Sequence, residues 1–203
     1  MIVYNAILCC DRDNALAAGH IAQLDSLGQP MTHCLYYGLG SSPVADIPHH
    51  TVGLLEMYDN VTLKTYCAMK HALSLDMAWD VLLKTDVTSR VVRIDWGLVA
   101  AHDLVAYVSP VGPFGTTVMP RDYNKERYAQ PAFAEPWPGR PPKTMIGGTA
   151  YTVSRRLAEL IVQRGIWYCA GWKGEDVMVA QIAEENGITP VDGTFCEVSP
   201  CPS

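Results

Sequence analysis

The sequence predicts an α/β fold built on a largely parallel sheet. Two observations carry this expectation. Short strand-like runs rich in apolar residues alternate with amphipathic helical stretches. Helix start and stop signals fall between them. Residues 2–10 are apolar and β-rich, the pattern of a strand covered on both faces. Residues 14–27 read as a helix with Leu16, His20, Ile21 and Leu24 on one side and Gly28 at its end. Residues 32–37 read as the next strand and residues 38–46 as loop. Asn60 stands where it can cap a helix over residues 61–75, whose apolar stripe is Tyr66, Met69 and Leu73.

Residues 80–85 form a short buried strand, and residues 102–110 hold another around 104–108. Residues 111–143 are rich in Pro, Gly and aromatics without periodicity, too long a stretch for a plain connection. Strand pattern returns over residues 145–152. Ser154 then caps a helix with Leu157, Leu160 and Ile161 inward, closed at Arg164-Gly165. Residues 174–185 are the last helix, with Val179, Ile182 and Ala183 inward, and residues 188–198 end in short strands. The 203 residues are expected to form one domain. In such sheets ligands sit beyond the carboxyl ends of the strands.

Fifteen basic residues against 21 acidic ones leave a net charge of −6, which disfavours holding bulk nucleic acid by charge. The cysteines number seven, with no CxxC and no zinc-like Cys/His spacing, so buried free thiols in a reducing compartment are expected. The chain shows no basic leader with a cleavage site, and no run nears the ~18 apolar residues of a membrane span. A soluble, cytoplasmic protein is the expectation.

Several familiar sites are absent. Gly38-Leu39-Gly40 follows a strand, but Pro43 stands where a dinucleotide fingerprint needs its third glycine. Neither GxxxxGK[ST] nor GxSxG occurs. His49-His50 reads as loop, and His20, His33 and His71 as structural.

Three segments concentrate the candidate chemistry: 57–65, 80–88, and 146–154 with 174–177. Asp86 ends a buried strand, a costly position unless the acid is paired or binds a cation. With Thr88 it could face a hard cation bridging to phosphate, or simply start a turn. Gly147-Gly148 lets backbone approach a ligand, or permits a bend. Glu175-Asp176 opens a helix, where acids gain about 0.3–1 kcal/mol from the dipole or supply a general base at the sheet's ligand edge. Arg155-Arg156 sits at the opposite kind of position, where the dipole disfavours cations.

In this order and spacing the segments resemble the β-1,3-galactosyltransferase family, which includes N-acetylglucosaminyltransferases and fringe-type enzymes. The family's D-x-Y-x-N-L-T-x-K-T block is matched by Tyr58, Asn60, Thr62, Lys64 and Thr65. Lys84 and Asp86 match K-x-D-D-D, and Gly147, Gly148, Tyr151 and Ser154 match G-G-x-x-Y-x-x-S. Glu175, Asp176 and Val177 match E-D-V. The likeness covers roughly residues 57–188.

The resemblance implies a GT-A-type nucleotide-sugar-binding sandwich, with a nucleotide-binding half over residues 1–110 and an acceptor-binding half over 111–203. It implies an inverting enzyme that uses a UDP-sugar and Mn²⁺ and transfers the sugar to a hydroxyl of a glycan or glycoconjugate. Asp176 would be the base, with Glu175 beside it, and Asp86 and Thr88 would hold the metal near the leaving diphosphate. Asn60, Lys64, Lys84, Thr85, Asp86, Gly147 and Gly148 would bind the donor. Asp11, Arg12 and Asp13, standing where the family has an arginine-rich block, would meet the nucleotide. Phe114, Tyr123, Tyr128, Phe133 and Trp137 would shape the acceptor side. The sequence departs from the family in reading Asp86-Val87-Thr88 for the acidic triplet and in having no histidine after His102, where Asp192 or Glu197 could substitute. No stretch of these 203 residues reads as the family's membrane anchor and stem, so a form without them is the expectation.

Two other functions fit the residues. Arg121, Lys125, Arg127, Arg140 and Lys143 could form a basic strip for a transferase acting on a modified DNA base. The weakened acidic triplet also fits a degenerate transferase that binds nucleotide or glycan without turnover.

Overall fold

Strand β1 (Val3–Leu8) is buried along its whole length, which is why its side chains do not alternate between apolar and polar. The structure, a computed structural model, describes residues 1–56, 60–110, 142–172 and 174–193. After β1 come a short 3-10 helix (Asp11–Leu16), α1 (Ala17–Asp25), β2 (Met31–Leu39) and β3 (His49–Leu55). Next are α2 (Val61–Ser74), β4 (Val81–Asp86), α3 (Trp96–Ala101) and β5 (Leu104–Pro110). The chain continues with β6 (Thr144–Ser154), α4 (Arg155–Arg164), α5 (Ile166–Ala170), α6 (Glu175–Glu185) and β7 (Val191–Asp192).

The seven strands form one sheet in the order β3-β2-β1-β4-β6-β5-β7. β1 is parallel to β2 and β4, β2 to β3, and β5 to β7. β6 runs antiparallel to both β4 and β5. Six strands therefore point one way and β6 against them, an α/β architecture with a mostly parallel mixed sheet. β6, from the second half of the chain, lies between β4 and β5 of the first, so the two halves interlock in the sheet.

Each face of the sheet carries an apolar layer. On one, Tyr4, Tyr36, Leu82 and Tyr151 pack with Met69 of α2, Leu157 and Ile161 of α4, and Val179 and Ile182 of α6. On the other, Ile7, Leu35, Leu83 and Val105 pack with Leu24 of α1 and Val99 of α3. Full burial of a side chain of this size contributes about 1.5–3 kcal/mol. Among the described residues no helix is long and apolar enough to cross a membrane.

The local signals hold in part. Ser154 caps α4 by accepting from the Leu157 N–H at 3.1 Å, and Gly165 ends that helix at φ 82°, a conformation that favours glycine. Asn60 precedes α2 but makes no side-chain cap. Its amide instead donates to the Leu55 carbonyl at 2.9 Å, tying the helix entrance to β3. The single helix expected over residues 14–27 is split, because a 3-10 helix precedes α1. β3, α3 and α5 were not expected from periodicity. β3 lies at the sheet edge and exposes much of itself to solvent, so it lacks the apolar run of a covered strand. Of residues 188–198, Val191–Asp192 form a strand, and residues 194–203 lie outside the described set.

A chain of polar groups crosses the second face, buried at His20, Thr85 and Asn5 and open to solvent at Asp25. His20 Nε2 lies 3.0 Å from Thr85 Oγ1, and Thr85 donates to Asn5 Oδ1 at 3.4 Å. Asn5 Nδ2 is 3.0 Å from His33 Nδ1, and His33 Nε2 is 2.9 Å from Asp25 Oδ1. Burial holds His20 down at about 4 against an ordinary 6.5, the Ser89 backbone opposing and the His33 charge assisting. Between those values the unfolded chain takes up a proton that the folded chain refuses, so stability rises with pH there. His20 therefore contributes about 3 kcal/mol that is complete above its unfolded value and lost as pH falls towards 4. The urea midpoint of the wild type relative to His20→Gln should fall along this profile from neutral to acid pH, because the difference removes the contribution of every other titrating group.

Candidate active site

The chain winds from β1 through β2 to β3 on one side, then crosses to β4 on the other side of β1. The loops leaving β1 and β4 thus diverge and open a crevice at the carboxyl ends of the strands. A cleft of about 680 Å³ occupies this place. Its walls are residues 8–13 after β1, residues 39–41 after β2, Leu55 and Glu56, Val61 and Lys64 of α2, and residues 86–88 after β4.

Lys64 is buried and its ammonium is committed. It donates to the Cys9 carbonyl at 3.0 Å and to the Glu56 carboxylate. Glu56 also accepts from the Gly38 N–H at 2.6 Å. One ion pair thus joins α2 to the ends of β1, β2 and β3. Glu56 was missed in the sequence. Its only signal is an acid closing the apolar pair Leu54-Leu55, and the partner that explains it is brought close by the sheet.

The 3-10 helix lines the same cleft. Asp11 accepts from the Ser42 N–H at 2.7 Å, and Asp13 accepts from the Cys10 thiol at 2.8 Å. The Arg12 side chain is 81% exposed, with Nε 3.6 Å from Asp13. Asn14 secures the segment by donating to the Ser42 carbonyl at 2.8 Å and accepting from the Tyr37 hydroxyl at 2.8 Å. Thr85 is placed elsewhere. Successive strand residues face opposite ways, so Thr85 is buried against His20 and Asn5 while Lys84 faces α6. Asn60 is not among the described residues lining the cleft.

Lys84 is the centre of a second cluster, adjoining the cleft through Asp86. Its ammonium lies 2.9 Å from Asp86 Oδ1 and 2.9 Å from Glu175 Oε1, and it donates to the Gly148 carbonyl. The Tyr151 ring centroid is 5.6 Å away. Burial works to lower its proton affinity, but Asp86, Glu175 and Tyr151 together outweigh burial and hold Lys84 well above the ordinary lysine value.

A bulge in β6 makes this meeting possible. Ala106 pairs with Tyr151 and Val108 with Ile146, so residues 147–150 of β6 stand opposite Tyr107 alone. β4 pairs with β6 only as far as Ala150. Gly147 and Gly148 therefore leave the ladder, as bulges beside functional sites do, and the Gly148 carbonyl reaches Lys84. Ser89 pins the bulge by donating to the Thr149 carbonyl at 2.9 Å, and its own N–H closes the turn to the Asp86 carbonyl at 2.8 Å. A Cβ on Gly148 would lie 2.8 Å from Glu175 Oε1 and 3.2 Å from Asp176 Oδ2.

Glu175 and Asp176 open α6, and their roles separate. Glu175 is buried and held by Lys84. Asp176 keeps part of its surface open, and its Oδ1 accepts from the Val177 N–H at 2.8 Å. Burial and then the Glu175 charge push its carboxyl up to about 7, while helix N–H groups and Lys84 oppose the rise. A carboxyl poised there can exchange a proton at neutral pH.

The manganese seat implied by the family resemblance does not fit the donor set. Asp86 is paired with a buried ammonium, and Thr88 offers an exposed neutral hydroxyl. Among the described residues no three His, Cys, Asp or Glu side chains converge as cation ligands. Asp192 serves the sheet instead, accepting from the Val108 N–H at 3.2 Å. Tyr58, Glu197 and residues 111–141 lie outside the described residues, taking with them the expected acceptor-side aromatics and all of the basic strip except Lys143. Compared with known proteins, the chain matches no family model and no curated sequence.

Gly148→Ala is expected to lower stability by about 1–3 kcal/mol through overpacking, read as a denaturant midpoint. Gly147→Ala should cost less, because its nearest neighbours are Tyr107 Cβ at 3.3 Å and Cδ1 at 3.4 Å, a ring that can shift.

Proposed function

We propose that this chain is an inverting GT-A-type glycosyltransferase that moves a sugar from a nucleotide-sugar, a UDP-sugar, to an acceptor hydroxyl of a glycan or glycoconjugate. The observation that carries the reading is Asp176. It is a carboxyl raised to about 7 at the start of α6, beside a glycine bulge at the carboxyl edge of the sheet. The adjoining cleft supports it, since apolar Leu39, Leu55 and Val87 stand there with the polar Asp11, Arg12 and Asp13. The apolar side chains suit a flat base and the Arg12 guanidinium suits a phosphate.

In the proposed reaction the acceptor oxygen attacks the sugar's anomeric carbon from the side opposite the nucleotide. Its proton passes to an Asp176 oxygen as the new C–O bond forms. The bond from the anomeric carbon to the diphosphate breaks, and its electron pair leaves with the diphosphate. Inversion follows from that line of attack. Glu175 does not share the base's role, because Lys84 occupies its Oε1. It acts as a positioning residue whose charge keeps Asp176 basic enough to accept a proton at neutral pH.

Turnover of a UDP-sugar panel with glycan acceptors tests the reading. Asp176→Asn should lower kcat by about 10²–10⁴-fold, the range of a lost general base, with UDP binding retained. Wild-type chain that binds UDP but turns over no donor in the panel would instead be a binding protein. The rate should also fall on the acid side as Asp176 takes up a proton near 7. Removing the neighbouring negative charge lets Asp176 ionise more readily, so Glu175→Gln should move that acid limb to lower pH.

A further inference from the structure

The Lys84 ammonium sits where three oxygens converge: Asp86 Oδ1 and Glu175 Oε1, each at 2.9 Å, and the Gly148 carbonyl. An ammonium carries three N–H donors, so this set uses all of them. We propose that this ammonium takes the place on Asp86 that a divalent cation would need, so that the chain binds a nucleoside diphosphate without metal and Arg12, rather than Lys84, meets its phosphates. The inference rests on the nucleotide-sugar reading for its ligand, but its statement about Asp86 stands apart from it.

The charges of the cleft argue for this. A divalent ion at Asp86 would lie close to a buried ammonium on the same carboxylate, and repulsion at that depth is poorly screened. Thr88, standing where the family has its last acid, adds no charge. The other carboxylates lining the cleft already have donors: the Ser42 N–H for Asp11, the Cys10 thiol for Asp13, and Lys64 with the Gly38 N–H for Glu56. Of the two cations among the described lining residues, Lys64 is committed to Glu56 and the Cys9 carbonyl. The Arg12 side chain is 81% exposed, with its Nε 3.6 Å from Asp13. Its planar fork can grip two phosphate oxygens at once, where a lysine offers a point charge.

Two measurements decide the matter. The first titrates Mn²⁺ alone into the protein and follows the spin-resonance signal of the free aqua ion. Wild type and Asp86→Asn should leave the same signal. Mn²⁺ held by wild type and released in Asp86→Asn overturns the proposal. The second is UDP calorimetry in EDTA and in Mn²⁺. The two affinities should agree within about twofold, and Arg12→Gln should weaken both by about tenfold, one charge-assisted contact. An unchanged thermal midpoint would show that this exposed variant is folded. UDP binding that needs Mn²⁺, or that Arg12→Gln leaves intact, overturns the proposal. UDP binding in neither condition overturns the UDP-sugar reading and the Arg12 assignment with it, while the Mn²⁺ titration still decides whether Asp86 holds a cation.

Discussion

Burying Lys84 commits three elements to one arrangement. A charge this far from water is tolerated only with close partners, and the partners come from the end of β4, the bulge of β6 and the start of α6. Removing one member of such a group costs about 3–5 kcal/mol, because the remainder is stranded. The geometry around Asp176 is therefore maintained by electrostatics as well as by packing. The aspartate inherits its place from the neighbour that Lys84 holds.

The same device appears in the wall of the cleft itself. Lys64 draws the Cys9 carbonyl and Glu56 together, joining α2 to three strand ends. One buried lysine lines the crevice and the other adjoins it through Asp86, each neutralised by acids of the protein rather than kept for a ligand. This separates structural cations from the exposed Arg12. The distinction matters chemically, since a guanidinium in solvent can rearrange around an incoming anion and a saturated ammonium cannot.

The motif residues Lys84, Gly148, Glu175 and Asp176 were legible as candidates, yet the reasons for them were not. Gly147-Gly148 could have been a simple bend. It is a bulge whose second glycine abuts two carboxylates. Glu175-Asp176 reads as a pair of helix-opening acids, and the fold divides them into one held by Lys84 and one left basic. Thr85, one residue from Lys84, is turned to the opposite face by strand alternation and belongs to the polar chain with His20. Glu56 carried no local signal because its partners lie 18 residues before it and eight after it.

By itself the sequence determined the alternation of strands and helices, most core strands and the cap at Ser154, because these depend on local periodicity and local hydrogen bonds. It also placed the candidate acids and glycines in order along the chain. Tertiary structure alone decided the strand order, the reversal of β6, the edge strand β3 and the site's charge pairing. Those outcomes depend on contacts between residues as far apart as Lys84 and Glu175, 91 positions in sequence. A carboxylate's proton affinity is set by what surrounds it in space, so the difference between Glu175 and Asp176 exists only once the chain has folded.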